Sequence, residues 1–514
     1  MRVVKTIAGL EAFLENLGTT SRPTSATVGF VPTMGALHTG HLALIHQARQ
    51  DCEIVIVSIF VNPLQFGPQE DLTRYPQTLA QDCDLCQTAA VDLVFAPSAA
   101  ELYLQANPTR VIPPPELTEV LCGLSRPGHF TGVATVVLKL LHLVKPQRAY
   151  FGQKDAQQLA IIRRLVADLN LPVKIIAVPI VRESAGLALS SRNQYLTPLE
   201  REQARAIFQA LNQAQTLFQQ GIRDRAALIA TVQKHLTQVP TLTLDYVDLV
   251  DPRTMQPLEA VQTQGLLATA VYLGPTRLID NCLLDACPPI LAIDGPAGAG
   301  KSTVTRQAAA ALGLLYLDTG AMYRAATWWL MTAKVNLGDP IAVAETISQC
   351  RIEFVPQSQP GLAPKVFING QDITQAIRAP AVTAHVSQVA AQPAVRKILV
   401  KQQQLLGQNG GVAAEGRDIG THVFPQAGLK IFLTASVEER AKRRWQELQA
   451  QGNPDISLAQ LQADISQRDY ADQHRAYAPF RPAPDAIEIV TDQLSIEAVI
   501  AEIIRLYQVR FSVP

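Results

Sequence analysis

The chain has 514 residues, which is more than one hydrophobic core organises, and this length predicts two to four domains. Its 44 basic and 44 acidic residues balance, which argues against a nucleic acid or an acidic membrane as a partner. The sequence shows no secretory pattern at its start and no apolar run of roughly 18 residues, so we expect no membrane span. Its seven cysteines lack the spacings of a disulfide framework and favour a reducing cytoplasm.

Four short apolar runs in the first half predict strands. The runs are rich in β-branched residues, and helix-like stretches at 41–50 and 156–169 separate them. Such alternation is typical of a parallel sheet with helices on both faces. The predicted strands cover residues 26–31, 54–61, 91–95 and 173–181.

A smaller α+β subdomain follows in the sequence. Thr197-Pro198-Leu199-Glu200 has the pattern of a capping box with proline at the first helical position, so a helix begins there and runs to Gly221. The pattern then predicts a helix at 224–237 and strands at 242–250 and 266–273.

The second half begins a new α/β pattern after Pro288-Pro289, which breaks the chain near residue 287. Residues 290–294 predict a buried strand before a glycine-rich loop, and residues 429–436 predict another central strand before a basic helix from Val437. Asn369-Gly370 between two β-like arms predicts a hairpin. This restart indicates a separate domain.

Two histidines stand where the first predicted strand gives way to a helix. The spacing in His38-Thr39-Gly40-His41 places both imidazoles on one side of one helical turn. The free N–H groups and positive end of a helix favour an anion, and Gly40 allows a phosphate to approach the backbone. Imidazole N–H groups directed at an α-phosphate stabilise the charge that grows as phosphorus is attacked. A motif this short also occurs as two surface histidines in a loop.

Two further segments carry groups suited to a nucleoside triphosphate. Ser190-Ser191-Arg192 lies on the loop after the fourth strand, where two hydroxyls and a guanidinium can close over phosphates. Phe151-Gly152-Gln153-Lys154-Asp155 offers a cation for phosphate and a carboxylate for ribose or Mg²⁺. Standing alone, the second segment would be an ordinary surface turn.

Together, five motifs resemble pantothenate synthetase, and the resemblance continues to TRLIDN at 276–281. It implies a Rossmann-like nucleotidylyltransferase domain at 1–187 with a small α+β subdomain at 188–287. It further implies that ATP activates pantoate as pantoyl adenylate, releasing pyrophosphate, and that β-alanine then attacks to give pantothenate and AMP. Relatives of this kind are commonly dimers, so a homodimer through this half is expected. The motifs are PTMGALHTGH (32–41), SIFVNPLQFG (58–67), RPGHFTGVATVVLKL (126–140), FGQKDAQQL (151–159) and LSSRN (189–193).

The same resemblance implies the roles of individual residues. His41 matches the proton donor, and the further catalytic positions are His38, Lys154, Ser190, Ser191 and Arg192. Amide side chains suit a hydroxy acid because they hydrogen-bond hydroxyl and carboxylate without adding a nucleophile. The implied pantoate and β-alanine ligands are Gln65, Gln158, Asn62 and His129. The implied ATP contacts are Met34, Gly35, Ala36, Leu37, His38, Thr39, Gly40, His41, Gly152, Gln153, Lys154, Asp155, Val181, Leu189, Ser190, Ser191 and Arg192.

The second half carries a complete phosphate-binding loop. Gly295-Pro296-Ala297-Gly298-Ala299-Gly300-Lys301-Ser302 satisfies the Walker A pattern between a strand and a helix. Backbone N–H groups wrap the phosphates, Lys301 reaches the β- and γ-phosphates, and Ser302 ligates Mg²⁺. A glycine-rich turn without a ligand does not explain the Lys-Ser pair at that offset.

Three arginine-carboxylate segments accompany this loop, at 318–324, 415–418 and 468–475. Any one of them is more often a surface salt bridge, but together they suit the grip on a monophosphate acceptor. They resemble bacterial cytidylate kinase from about residue 289 to the C-terminus, with Glu415 where relatives often carry aspartate. The resemblance implies a P-loop nucleoside monophosphate kinase domain at 288–514 that transfers the γ-phosphoryl group of ATP to CMP or dCMP.

In this kinase half, the resemblance assigns ATP to residues Gly295 to Thr303, with Lys301 catalytic and Ser302 on the metal. The cytosine edge is assigned to Thr319, Arg396 and Asp418. The acceptor phosphate is assigned to Arg324, Arg417 and Arg475, and the sugar to Ser387, Arg468 and Asp472.

Alternatives remain open at this point. Other nucleotidylyltransferases and aminoacyl-tRNA synthetases also carry the His-x-Gly-His motif, although Gln65, Gln158 and the absence of a basic surface argue against them. The second half could phosphorylate UMP or a small metabolite. It could also sense nucleotides and regulate the first half, although a sensor needs no acceptor site.

Overall fold

The computed structural model describes residues 1–17, 26–67, 72–105, 107–355, 357, 363–450, 457–474 and 478–511. The chain divides into two compact units, Met1–Ala286 and Cys287–Pro514. Within the described residues, the helices are too short or too polar to cross a lipid bilayer. The seven cysteines, all of them described, form no disulfide.

The first unit is built around a parallel six-stranded sheet in the order β1-β4-β3-β2-β5-β6, with a three-stranded antiparallel sheet β7-β8-β9 beside its later helices. Its strands are β1 Arg2–Val4, β2 Val28–Thr33, β3 Ile54–Ile59, β4 Leu93–Phe95, β5 Arg148–Gly152, β6 Lys174–Val178, β7 Leu242–Val250, β8 Gln264–Leu273 and β9 Thr276–Asp285. Its helices are α1 Ile7–Leu17, α2 Thr39–Asp51, α3 Leu79–Thr88, α4 Ala99–Leu102, α5 Pro115–Thr118, α6 Cys122–Ser125, α7 His129–Val144, α8 Ala156–Asp168, α9 Pro198–Gln219 and α10 Arg225–Leu236.

The central strands are apolar on both faces because each face has its own core. Phe30 and Ile56 pack into the cluster that includes α7, whereas Val31 and Val57 pack into the cluster on the side of α2. This split follows from the two-residue period of a strand. It confirms the predicted parallel sheet with helices on both faces.

The strand order of this sheet indicates where a ligand crevice lies. From β2, the chain adds β3 and then β4 towards one edge of the sheet, and from β5 it adds β6 towards the other edge. β2 and β5 therefore lie on either side of the point at which the direction of strand addition reverses. Ligands of open α/β sheets bind beside the carboxyl ends of strands at such a point. The segments that follow β2 and β5 are His38–His41 and Gln153–Asp155.

The small subdomain confirms the predicted helices and adds a strand. Thr197 Oγ1 accepts from the Glu200 N–H at 3.3 Å and Glu200 Oε2 accepts from the Thr197 N–H at 2.8 Å, which completes the predicted capping box. The prediction of two strands was incomplete, because β9 pairs with β8 along its whole length. Its sequence alternates buried Leu278 and Asp280 with less buried neighbours, so the buried polar residue obscured the strand pattern.

The second unit has a parallel five-stranded sheet in the order β11-β15-β10-β16-β17 and a three-stranded antiparallel sheet β12-β13-β14. Its strands are β10 Leu291–Asp294, β11 Leu315–Asp318, β12 Ile352–Val355, β13 Lys365–Ile368, β14 Gln371–Asp372, β15 Val412–Gly416, β16 Leu429–Thr434 and β17 Ile487–Val490. Its helices are α11 Lys301–Leu312, α12 Thr319–Thr332, α13 Pro340–Ser348, α14 Pro380–Ala390, α15 Pro393–Leu406, α16 Val437–Ala450, α17 Leu458–His474 and α18 Ile496–Phe511.

Three local predictions for this unit are confirmed. Asn369 and Gly370 both have positive φ and join β13 to β14, as a tight hairpin requires. The strand within 429–436 has a neighbour on each side, β10 and β17, and α16 begins at Val437. The glycine-rich loop therefore follows the middle strand, β10, and lies beside the end of β15.

Candidate active sites

The histidine motif of the first unit is a reciprocal helix cap. His38 Nδ1 accepts from the Gly40 N–H at 3.1 Å, and His41 Nδ1 accepts from the His38 N–H at 3.4 Å. The two ring centroids are 4.1 Å apart. Since each Nδ1 is an acceptor, each neutral ring carries its proton on Nε2. The pair therefore presents two Nε2–H donors.

The cap also explains why residue 40 is glycine. A β-carbon at residue 40 would lie 2.8 Å from Cε1 of His38, so the imidazole packs directly against Gly40. The N–H groups of His38 and Gly40 are likewise used by the rings. An anion at this helix start would therefore contact the imidazole Nε2–H groups in place of those two backbone groups.

Both imidazoles are neutral at physiological pH. Burial, and then the charge of Lys154, lowers the pKa of His38 to about 4. Burial, and then the neighbouring His38, lowers the pKa of His41 to about 3. Asp155 acts on both rings in the opposite direction. These interactions place Lys154 and Asp155, which follow β5, beside the histidines that follow β2.

The loop before the histidines is held by a residue that the sequence analysis missed. Asp82, on α3, is 1% exposed, and its two carboxylate oxygens accept from the N–H groups of Ala36 at 3.0 Å and Leu37 at 2.8 Å. Gly35 and Ala36 both have positive φ, so the carboxylate stabilises a strained turn. No sequence signal connects residue 82 with residue 36.

A second cluster surrounds the predicted amides. Gln65 Nε2 contacts Met34 Sδ at 2.7 Å, and Asn62 Nδ2 donates to Gln65 Oε1 at 3.2 Å. His129 Nδ1 donates to the Gln65 carbonyl at 2.7 Å, while Arg126 donates to His129 Nε2 at 3.0 Å. The structure therefore brings Met34, Asn62 and Gln65 together, and it uses His129 to hold the Gln65 backbone.

A cavity of about 630 Å³ lies beside these clusters. His129, which also holds Gln65, is part of its lining, whereas Gln65 and the histidine pair are not. The pair adjoins the cavity through Lys154 and Asp155. The predicted residues that line the cavity are His129, Lys154, Asp155, Gln158, Ser190 and Arg192.

Two long-range contacts hold the loops of this cavity. Asn281 on β9 donates to the carbonyls of Gln153 at 3.0 Å and Lys154 at 2.9 Å. Tyr75 and Ser191 place their hydroxyls 3.3 Å apart. The small subdomain thereby fixes the backbone of the segment that carries Lys154.

The remaining predicted ATP residues are arranged around the helix start. Leu189 donates its backbone N–H to the Val181 carbonyl at 3.0 Å, and its β-carbon lies 3.8 Å from the position of a β-carbon at Gly40. Thr39 is exposed at the first helical position. The loop that carries Ser190 therefore meets the histidine motif.

In the second unit the glycine-rich loop is tightly packed. A β-carbon at Gly295 would lie 2.0 Å from the Leu433 carbonyl oxygen, so only glycine fits beside β16. Lys301 Nζ donates to the Pro296 carbonyl at 2.7 Å. Burial, and then the charge of Arg417, lowers the pKa of Lys301 to about 7, while Glu415 and Asp294 act in the opposite direction.

Arginines converge on the same loop. Arg417 Nη1 donates to the Gly295 carbonyl at 2.6 Å and its Nε pairs with Asp472 at 2.9 Å. Burial, and then Arg417, lowers the pKa of Arg468, which also responds to the charge of Arg324. The structure thus brings Arg324, Arg417 and Arg468 together near Lys301, as a site for phosphate requires.

A buried polar pair lies behind this cluster. Arg396 is 1% exposed and forms an ion pair with Asp418, and its guanidinium carbon is 5.5 Å from the ring centroid of Tyr323. Thr319 Oγ1 donates to the Glu415 carbonyl at 2.6 Å. The three residues predicted to contact the cytosine edge therefore sit on α12, α15 and the turn after β15.

Comparison with known proteins identifies both units. A family model described as pantoate-beta-alanine ligase matches residues 2–283, and one described as cytidylate kinase matches residues 291–509. A bifunctional pantoate ligase/cytidylate kinase of Thermosynechococcus vestitus is 62% identical over 99% of this chain and 98% of its own. A protein of the same description from Acaryochloris marina is 57% identical, again over 99% of this chain and 98% of its own. The chain belongs to the bifunctional pantoate ligase/cytidylate kinase family.

A solved structure supports the assignment of the ligase unit. Pantothenate synthetase from Thermus thermophilus is 47% identical, with a TM-score of 0.52, over 55% of this chain and 99% of its own. The resemblance of the first half to pantothenate synthetase and of the second half to cytidylate kinase, inferred from the sequence motifs, is confirmed.

In the kinase unit, two predicted residues have no demonstrated place in the site. Ser387 is exposed on α14. Arg475 lies outside the described residues. In contrast, Asp294 was missed: it accepts from the N–H groups of Ile419 at 2.8 Å and Gly420 at 2.7 Å, and burial raises its pKa to about 6. Asp294 holds the turn that carries Asp418. Its position at the carboxyl end of β10, directly before the glycine-rich loop, is the sequence signal that could have identified it.

Proposed function

We propose that the first unit condenses pantoate with β-alanine through a pantoyl adenylate, giving pantothenate, AMP and pyrophosphate. We propose that the second unit transfers the γ-phosphoryl group of ATP to CMP or dCMP. The observation that carries the first assignment is the capped histidine pair beside the Met34–Asn62–Gln65 cluster. For the second it is the convergence of Arg417 and Arg468 on the phosphate loop.

The ligase chemistry follows from donors that are already in position. The Nε2–H groups of His38 and His41 hydrogen-bond the α-phosphate, where negative charge grows as the pantoate carboxylate attacks phosphorus. Lys154 supplies the full positive charge that the neutral rings lack. Gln65 and Gln158 orient pantoate by amide hydrogen bonds. Because positioning and charge stabilisation suffice for adenylyl transfer, no covalent enzyme intermediate is required.

The kinase chemistry uses the loop that follows β10. Backbone N–H groups of residues 295–303 bind the phosphates, and Lys301 exchanges its contact with the Pro296 carbonyl for phosphate oxygens. Arg324 and Arg417 neutralise the acceptor phosphate, and Arg468 and Asp472 contact the sugar. Arg396 and Asp418 present hydrogen-bonding groups to the cytosine edge. The acceptor oxygen of CMP is already ionised, so no base is needed.

We propose Glu415 as a Mg²⁺ ligand beside Ser302. The Glu415 side chain is buried, and among the described residues its Oε2 has no hydrogen-bond partner while Tyr316 donates to Oε1 at 2.7 Å. Burial, and then the charge of Asp318, raises the pKa of this carboxyl, and the neighbouring Ser302 side chain acts in the opposite direction. A hydroxyl and a carboxylate oxygen suit this hard cation, which neutralises charge on the β- and γ-phosphates when it is bound.

We further propose that the chain forms a homodimer through the first unit. In support, Leu104, Ile112 and Leu124 are 91%, 78% and 69% exposed in one stretch of this unit. Sedimentation equilibrium of the full chain measures its mass in solution, and we expect a Leu124→Glu variant to dimerise more weakly than the wild type. A wild-type protein that sediments as a monomer at micromolar concentration contradicts the proposal.

Reciprocal variants test the two activities in one chain. We expect His41→Ala to abolish pyrophosphate release with pantoate and ATP while CMP-dependent ADP formation continues. We expect Lys301→Ala to do the reverse. Loss of both activities in either variant contradicts independent sites. If CMP yields no ADP but ATP binding to the second unit alters ligase turnover, that unit is a sensor.

A further inference from the structure

A buried ion pair connects two helices of the kinase unit next to the phosphate loop. Arg440 lies on α16 and Asp469 on α17, with Nη2 and Oδ2 2.7 Å apart. The two side chains are 5% and 15% exposed, so the pair is shielded from water. Removing one partner of such a pair leaves an uncompensated charge, unlike removal of an exposed one.

Arg440 also contacts the loop itself. Its Nη1 donates to the Ala297 carbonyl at 3.2 Å, and its Nε donates to the Ala435 carbonyl at 3.0 Å. A β-carbon at Gly298 would lie 3.2 Å from Cβ of Arg440, so the tip of the loop rests on the start of α16. All three guanidinium nitrogens are engaged, which fixes the planar fork in one orientation.

Two guanidinium bridges therefore join α17 to the phosphate loop. One runs from Asp472 through Arg417 to the Gly295 carbonyl. The other runs from Asp469 through Arg440 to the Ala297 carbonyl. Residues 469 and 472 are one helical turn apart, so the bridges leave the same face of α17. Arg468 immediately precedes Asp469, the residue of α17 from which the second bridge starts.

We propose that Arg440 and Asp469 are positioning residues for phosphoryl transfer. They set the register of α17 against the phosphate loop, and through it the placement of Arg468 and Asp472. This inference rests on the kinase activity proposed above, since it concerns the geometry of that site. Neither side chain touches the substrates in this role.

We expect substitutions at the two ends of the Asp469–Arg440 bridge to have different kinetic effects. Asp469→Asn leaves both carbonyl contacts of Arg440 in place, so we expect an unchanged KM for ATP and a kcat about 10- to 100-fold lower. Arg440→Gln loses the loop contact as well, so we expect a higher KM for ATP together with the lower kcat. The double variant is expected to resemble Arg440→Gln, because groups that act as a unit are not additive.

Arg443→Gln is the matched control on the same helix. Arg443 pairs with Glu439 and donates to Thr491, away from the loop. Tryptophan fluorescence monitors folding of the kinase unit, since Trp328, Trp329 and Trp445 all lie there. Ligase turnover by the same chain calibrates the enzyme concentration.

The outcomes separate this inference from the kinase assignment. An unchanged kcat in Asp469→Asn, or additive effects in the double variant, overturns the positioning role. So does an equal loss in Arg443→Gln accompanied by the same fall in unfolding midpoint. A wild-type chain that forms no ADP from CMP instead overturns the kinase assignment itself.

Discussion

His38 and His41 show how one turn of backbone sets the chemistry of a side chain. Each Nδ1 is occupied by a main-chain N–H, so the tautomer is fixed by local geometry. Burial then removes the positive charge. The ligase site therefore contains neutral imidazole donors, and Lys154 is the cation beside them.

Acidification is expected to destabilise the ligase unit through these two rings. Their folded pKa values of about 4 and about 3 lie below the ordinary 6.5, so between those limits the unfolded chain binds more protons. The stability that the neutral rings contribute is complete above pH 6.5 and is lost as the pH falls through about 4 for His38 and about 3 for His41. Calorimetry of the full chain at pH 7.5 and pH 5 measures this, with tryptophan fluorescence identifying the kinase transition.

The variant His38→Gln provides the comparison, because glutamine does not titrate. We expect a smaller difference between the two pH values for the ligase transition of this variant. An identical pH dependence in both proteins contradicts the assignment of buried neutral histidines.

Glu415 makes a separate prediction about metal dependence. Replacing Glu415 by Gln keeps a hydrogen-bond acceptor for Tyr316 but removes the negative charge, so we expect a higher Mg²⁺ requirement and kcat about 10- to 100-fold lower. A Mg²⁺ titration of CMP-dependent ADP formation measures both. The exposed Glu353→Gln serves as control, and an unchanged Mg²⁺ dependence in Glu415→Gln contradicts the ligand role.

Among the elements, the contact between α3 and the loop after β2 determines whether the histidine motif is usable. Asp82 is buried and accepts two consecutive loop N–H groups, at a turn where both Gly35 and Ala36 have positive φ. Without the second oxygen, a buried donor loses its partner, which costs about 1–3 kcal/mol.

We therefore expect Asp82→Asn to weaken the ligase site specifically. The asparagine amide nitrogen cannot accept from the loop, so the KM for ATP in the ligase reaction should rise about 10-fold. Initial rates with pantoate and β-alanine measure it. Asp84→Asn, an exposed change on the same helix, controls for altered charge, and CMP phosphorylation should stay constant in both variants.

At the scale of the whole molecule, each unit has its own sheet and its own cores. The ligase cores surround β2 and β3, and the kinase cores surround β10 and β15. The backbone near the junction also divides cleanly, since Ala286 bonds to Thr263 and Gly411 bonds to Pro288.

Separate expression is expected to preserve both activities. We predict that a fragment of residues 1–286 forms pantothenate and that a fragment of residues 287–514 phosphorylates CMP, each with kcat within about threefold of the full chain. The two fragments divide before Cys287, so the hydrogen bond from the Gly411 N–H to the Pro288 carbonyl stays within the kinase fragment. A folded fragment without its activity shows that the neighbouring unit contributes to that site.

The sequence by itself determined the features that depend on neighbours within a few residues. The capping box at Thr197, the hairpin at Asn369-Gly370 and the phosphate loop all have fixed local spacings. Their residue patterns therefore predict their structures without any information about distant contacts. The spacing of the histidine pair likewise placed both imidazoles on one helical turn, whereas their capping hydrogen bonds were found only in the structure. The order of these motifs was enough to identify both families.

Only the tertiary structure decided which distant residues support those motifs. Asp82, Asn281 and the Arg440–Asp469 pair act on backbone far away in the chain, and a single carboxylate or amide has no sequence pattern that reveals its partner. The strand β9 was missed for a related reason, because Asp280 is buried by its pairing with Arg182. Burial and long-range hydrogen bonds arise only when the sheets close, and those contacts determine the charge and position of the groups that react.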